Sequence, residues 1–207
     1  MEYTKRVGMI GGTFSPIHLG HLLAAETAQE MFHLDEVLFI PSGVSYLKSN
    51  VLDAKSRVDM TSLAIEDNHH FALSTIEVDR KGNSYSYETI VQLKTAHPTM
   101  EYYFIVGSDS LMMMENWVCP EKIFGETKIL VAPRQGCSEE QLQEKITFLK
   151  EKFDARIFVL PMNRIDISSS EIREKVADGK SIRYLVHPQV MHYIEKHHLY
   201  EKEESQT

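Results

Sequence analysis

Two hydrophobic periods alternate along the chain. Short, mostly apolar runs bounded by Gly, Pro or charges predict buried strands at residues 7–10, 36–40, 101–106, 128–132 and 156–160. Residues 71–78 alternate apolar and polar and predict another strand, followed by a turn at Lys81-Gly82-Asn83. Helical spacing fills the gaps. It starts near Leu19, with Leu22, Leu23, Ala24, Ala25, Ala28 and Met31 as the apolar face. It returns at 53–67, with Asp53 as N-cap and Val58, Leu63, Ala64 and Ile65 apolar. Further helices are expected at about 88–96, 138–153, from 168 onward and at 189–197, while the polar tail 201–207 reads as frayed. Strands that alternate with helices predict βαβ units and an α/β fold: a doubly wound parallel sheet of about five to six strands with a small C-terminal helical part. With no repeats, low-complexity segment or long linker, 1–207 reads as one domain.

The stretch MIGGTFSPIHLGH, Met9 to His21, carries the most chemistry. Gly11-Gly12 is expected to break the first strand and bring backbone close to a ligand. His18 and His21 then stand at the start of a helix, three residues apart and so on one face. A helix start offers unpaired N–H groups and a partial positive charge, which suits phosphate. Two rivals stand beside this: one His caps the helix while the other packs in the core, or the pair ligates a metal, though no Glu or Cys stands nearby at ligand spacing.

Composition narrows the partners. The formal net charge of -8 argues against broad binding to nucleic acid or anionic membranes, but not against a local anion pocket. Cys119 and Cys137 lack CxxC spacing and read as free thiols. The first five residues are polar and no apolar run approaches membrane-spanning length, so a cytoplasmic protein is expected.

Other strand ends supply further candidates. Lys48 is the only cation in the loop 42–52, and Arg57 either approaches the same pocket or pairs at the surface. At 84–88, Ser86 or Tyr87 faces a ligand, or Ser84 is simply an N-cap. Asp109, after Gly107-Ser108, either accepts from ribose hydroxyls or caps its helix. Trp117 is core or a stacking platform. In Ile167-Ser168-Ser169-Ser170-Glu171-Ile172-Arg173, Ser168 and Glu171 have capping-box spacing, and the stretch is either an anion cradle of serines, helix amides and Arg173 or a capped helix with a surface arginine.

Both informative stretches lack the Walker and dinucleotide-binding glycine patterns. GGTFSPIHLGH resembles the GGTFxPxHxGH signature of the nucleotidylyltransferase superfamily, and ISSSEIR resembles its ISSTxIR motif. Within it, GNSYSYET and FIVGSDSL…NW resemble segments of the bacterial nicotinate-nucleotide adenylyltransferases. The resemblance runs from about Val7 to Tyr200. It implies a Rossmann-like fold and adenylyl transfer from ATP to nicotinate mononucleotide, with Mg²⁺ accompanying ATP. Oligomeric state stays open, a homo-oligomer included. Carried over residue by residue, it implies that Gly11, Gly12, Thr13, Phe14, His18, His21, Gly107, Asp109, Ile167, Ser168, Ser169 and Arg173 contact ATP. The acceptor would meet Lys48, Ser86, Asp109, Trp117, Val118 and Arg134, and catalysis would fall to His18, His21, Lys48 and Arg173. Four positions depart from the family pattern. Ser15 replaces Asp, Tyr46-Leu47-Lys48 replaces Pro-His-Lys, Ser86 replaces Thr, and Glu88 replaces Asp. These bear on substrate preference and turnover rather than on reaction type. Rival readings are a relative acting on phosphopantetheine or a flavin precursor, a non-catalytic nucleotide sensor, and a tRNA-binding synthetase fragment.

Overall fold

A computed structural model describes residues 3–43 and 51–202. The apolar runs form β1 (Arg6–Gly12), β2 (Glu36–Pro41), β3 (Phe71–Leu73), β4 (Glu101–Gly107), β5 (Thr127–Ala132) and β6 (Arg156–Val159). All pair in parallel in one sheet of order β3-β2-β1-β4-β5-β6. The helices are α1 (Leu19–Phe32), α2 (Ala54–Ile65), α3 (Ser86–Ala96), α4 (Ser108–Met113), α5 (Pro120–Glu126), α6 (Glu139–Phe153), α7 (Ser169–Ala177) and α8 (Pro188–Lys196). None of the described helices is long and apolar enough to cross a membrane.

Strand alternation explains the layers. Ile10, Val37, Phe39 and Ile105 bury one side of the sheet with Ala28 of α1, Met60 of α2, Ile172 of α7 and Val190 of α8. Val7, Met9, Phe104 and Ile129 bury the other with Ile90 of α3, Leu111 of α4, Phe124 of α5 and Ile146 of α6. Each large side chain so enclosed contributes roughly 1.5–3 kcal/mol. The strand order reverses between β1 and β4, and an open α/β sheet leaves a crevice beyond the carboxyl ends of the strands at such a point.

The structure corrects several local expectations. Gly11 and Gly12 do not break the strand; they pair with Ile40 and Pro41, and the left-handed turn falls on Phe14 at φ 48°. On α1 the buried stripe is Ala24, Ala25 and Ala28, while Leu23 and Met31 are each 46% exposed. Small residues let that helix lie close on the sheet. The strand expected over 71–78 stops at Leu73: Phe71, Ala72 and Leu73 lie in register with β2, and the Ser74 amide closes the ladder on the Phe39 carbonyl at 2.9 Å. Ser84 is not an N-cap; Tyr85 holds that position, and the Ser84 hydroxyl accepts from the Gly43 amide at 3.1 Å. Asp53, Ser138 and Ser168 do cap their helices, each side chain accepting from the backbone N–H three residues on.

Candidate active site

The cleft at the reversal point is walled by the ends of β1 and β4. Gly11, Gly12, Thr13, His21, Ser86, Gly107, Asp109, Trp117 and Arg134 line it, as the sequence suggested. Ser42, Phe104, Glu77 and Ser84 line it too, and the sequence did not point to them. Glu77 was hidden by the alternation that extended the strand past Leu73. Lys48 lies outside the described residues, as do Tyr46 and Leu47.

His18 is the N-cap of α1, and its amide donates to Nδ1 of His21 at 3.3 Å. The two imidazoles stack with centroids 3.7 Å apart, and Phe14 meets His21 edge-on at 5.0 Å. His21 lines the cleft, whereas His18 is only 2% exposed. Among the described residues Nδ1 of His18 has no hydrogen-bond partner. Burial pushes the His18 imidazole down to about 3, and the positive charge of Arg134 adds to the effect. His18 is therefore neutral at physiological pH and presents no like charge to the ring stacked on it.

The turn 13–16 joins β1 to α1 and is gripped from three directions. Arg57, 2% exposed, donates to the Thr13 carbonyl at 2.9 Å and to that of Leu52 at 2.9 Å. That answers the question the sequence left open: Arg57 builds the turn. Arg173 donates to the Ser15 carbonyl at 2.8 Å, and the Ser169 hydroxyl to the Pro16 carbonyl at 2.9 Å. Each of these carbonyls is thus drawn to a donor and does not repel a bound anion. Ser15 itself bonds the Tyr200 hydroxyl at 3.1 Å, whose pKa burial raises to about 12.

The same bonds bring the starts of α1 and α7 together across more than 150 residues of chain, since Ser169 and Arg173 reach the turn that precedes His18. The Ser168 hydroxyl serves as the cap, accepting from the Glu171 amide at 3.1 Å. The first-turn amides of α7 have no intrahelical partner and keep their dipole character. Ser168, Ser169, Arg173, Ile167 and Phe14 stand beside the cleft rather than in its lining.

On the opposite wall, Asp109 pairs with Arg134 at 3.9 Å. Gly107 lies beneath them: a Cβ there would come 2.2 Å from Asp109 Oδ1 and 2.9 Å from Arg134 Nε, so either side chain would have to shift. Trp117 is half-buried and meets Phe104 edge-on at 6.4 Å, leaving it both core and cleft wall. Ser86 opens α3 and lines the cleft, whereas the half-buried Tyr87 packs against the core and Val118 is 41% exposed.

Comparison with known proteins agrees with this geometry. The family model described as cytidylyltransferase-like matches residues 9–175. A protein of Lachnoclostridium phytofermentans described as a probable nicotinate-nucleotide adenylyltransferase is 41% identical over 95% of this chain and 99% of its own. A Thermoanaerobacter protein of the same description is 37% identical over 99% and 98%. In fold, the chain is similar to the Plasmodium falciparum nicotinic acid mononucleotide adenylyltransferase complexed with NaAD. The TM-score is 0.80 at 22% identity, over 95% of this chain and 97% of that one. The chain belongs to the cytidylyltransferase-like family and, within it, to the nicotinate-nucleotide adenylyltransferases.

Proposed function

We propose that the cleft at the strand-order reversal is where this protein carries out the reaction of its family, adenylyl transfer from ATP to nicotinate mononucleotide in NAD biosynthesis. The observation that carries the assignment is the convergence of the α1 and α7 starts on the turn 13–16, through Arg173 and Ser169. Two amide-rich helix starts meeting at one turn suit a triphosphate.

A phosphate oxygen of the mononucleotide attacks the α-phosphorus of ATP. The new P–O bond forms nicotinate adenine dinucleotide as the bond to the β-phosphate bridging oxygen breaks, and pyrophosphate leaves with that electron pair. No protein nucleophile is required, so the residues act by alignment and charge stabilisation. His21, in the cleft, donates to the phosphate whose charge grows in the transition state. Neutral His18 holds His21 by stacking and by its amide. Arg173 and the α7 amides, with Ser168 and Ser169 shaping that start, receive the departing pyrophosphate. Lys48 takes the same task by family resemblance. Gly11, Gly12, Thr13 and Phe14 shape the phosphate turn, Asp109 takes a ribose, and Ile167 flanks the nucleotide. Trp117 stacks on the pyridine ring, amides near Ser86 and Val118 receive its carboxylate, and Arg134 keeps Asp109 in place.

Among the described residues, no group of three His, Cys, Asp or Glu side chains is placed to hold a metal ion. The imidazole, amide and guanidinium groups of the cleft suit the phosphates, and Asp109 and Glu77 add two carboxylates to its lining. A divalent ion accompanying ATP would supply further neutralisation of phosphate charge.

The test is pyrophosphate release from ATP plus nicotinate mononucleotide by wild type and His21→Ala. Loss of one transition-state donor should lower kcat by about 10²–10³-fold. A folded His21→Ala enzyme with near-wild-type turnover would refute the role.

A further inference from the structure

Glu77 is a buried acid that the mechanism has not used. It lies between β3 and α3, is 8% exposed, and lines the cleft that Trp117 and Phe104 also line. The chain just past β2 packs on its backbone: a Cβ on Gly43 would lie 2.2 Å from the Glu77 carbonyl oxygen. Its carboxylate accepts from the Thr89 hydroxyl at 2.8 Å, and the Ser84 hydroxyl also bonds it. Among the described residues no cation lies within ion-pair distance of it. Arg80 is turned instead to Glu88 at 3.3 Å, Thr89 at 3.2 Å and Gln92 at 2.9 Å. Asp109, across the cleft, already has Arg134.

Hydroxyl donors hold an ionised carboxylate in position without cancelling its charge. Burial raises the Glu77 carboxyl from its ordinary range, and the Arg80 charge acts on it only through space, without a direct ion pair. A carboxylate in that condition, in one cleft with two aromatic rings, is complementary to a flat cation. Of the two substrates assigned to this cleft, only one carries such a group. The ring nitrogen of nicotinate mononucleotide is quaternary and permanently positive, whereas adenine is neutral at pH 7. The structure assigns Glu77, on the reading of the cleft given under Proposed function, as a specificity-determining residue of the acceptor half. Its carboxylate selects a pyridinium over a neutral ring.

The experiment compares calorimetric affinities for nicotinate mononucleotide and its 1,4-dihydropyridine form, which has the same substituents but an uncharged ring. Wild type should prefer the pyridinium form by about tenfold, the effect of a cation near an aromatic and acidic wall. Glu77→Gln keeps the shape and should bring the two affinities within about threefold, with the KM for ATP unchanged. Thr89→Val keeps the charge and should keep the preference. Thermal melts confirm that each variant folds. An unchanged preference in Glu77→Gln overturns the proposal. So does a wild-type enzyme that turns over nicotinate mononucleotide yet binds both rings equally, an outcome that needs no variant. Failure of wild type to use nicotinate mononucleotide at all would instead strike the acceptor assignment.

Discussion

Replacing His18 with Gln should flatten the acid side of the stability curve. His18 is 2% exposed and burial holds its imidazole near a pKa of about 3, whereas a solvated histidine titrates near 6.5. Between those values the unfolded chain carries a proton on this residue that the folded chain does not. The state that binds more protons gains as pH falls, so stability drops on acidification, starting near pH 6.5 and ending near the folded pKa. The full slope is about 1.4 kcal/mol per pH unit. From pH 7 to pH 5 this one group should cost about 2 kcal/mol, a large share of a typical domain's roughly 5–15 kcal/mol. In a chain of this length that is roughly 4–8 °C in Tm. Glutamine keeps an N–H donor and an acceptor but does not titrate. Urea unfolding from pH 5 to pH 8, with the m-value constant, gives the difference between the two proteins. The two curves should run parallel above pH 7 and converge by about 2 kcal/mol on going to pH 5. Parallel curves over the whole range would mean that His18 is not held neutral by burial, and the picture of a neutral ring backing His21 would go with it.

Two further substitutions probe the walls of the cleft. Gly43→Ala places a methyl 2.2 Å from a backbone oxygen of Glu77, so the chain just past β2 must move. Stability should fall by about 1–3 kcal/mol and the acceptor KM should rise several-fold, and an unchanged acceptor KM in a destabilised variant would show that this contact does not shape the acceptor half. Arg173→Lys keeps the charge but not the fork that reaches Ser15 and Ser170. A drop of about tenfold or more in kcat is expected, since a charged hydrogen bond is worth roughly 1.5–3 kcal/mol, and wild-type kcat would show that a point charge suffices there.

Much of the scaffold is determined within a few residues of each position. The strands at 7–10, 36–40, 101–106, 128–132 and 156–160 were legible because a buried parallel strand needs a continuous apolar run. The caps at Asp53 and Ser168 were legible because a cap bonds an amide three residues on. The two histidines and the serine run could be picked out as anion chemistry for the same local reason. What the chain could not show locally is what assembles the cleft. Residues 74–78 keep a strand-like alternation, yet the register with β2 ends at Leu73 and its last bond at the Ser74 amide, and beyond it Glu77 lines the cleft. Ser84 has the chemistry of a cap, yet the Gly43 amide, 41 residues earlier, claims its hydroxyl. Gly11 and Gly12 have the freedom to turn, yet pairing with β2 keeps them extended and moves the turn to Phe14. Whether Arg173 faces solvent or Ser15 depends on a contact spanning 158 residues. Periodicity and capping act over one turn of chain and so can be read along it. Burial and long-range hydrogen bonding depend on which other element arrives, and only the folded chain decides that.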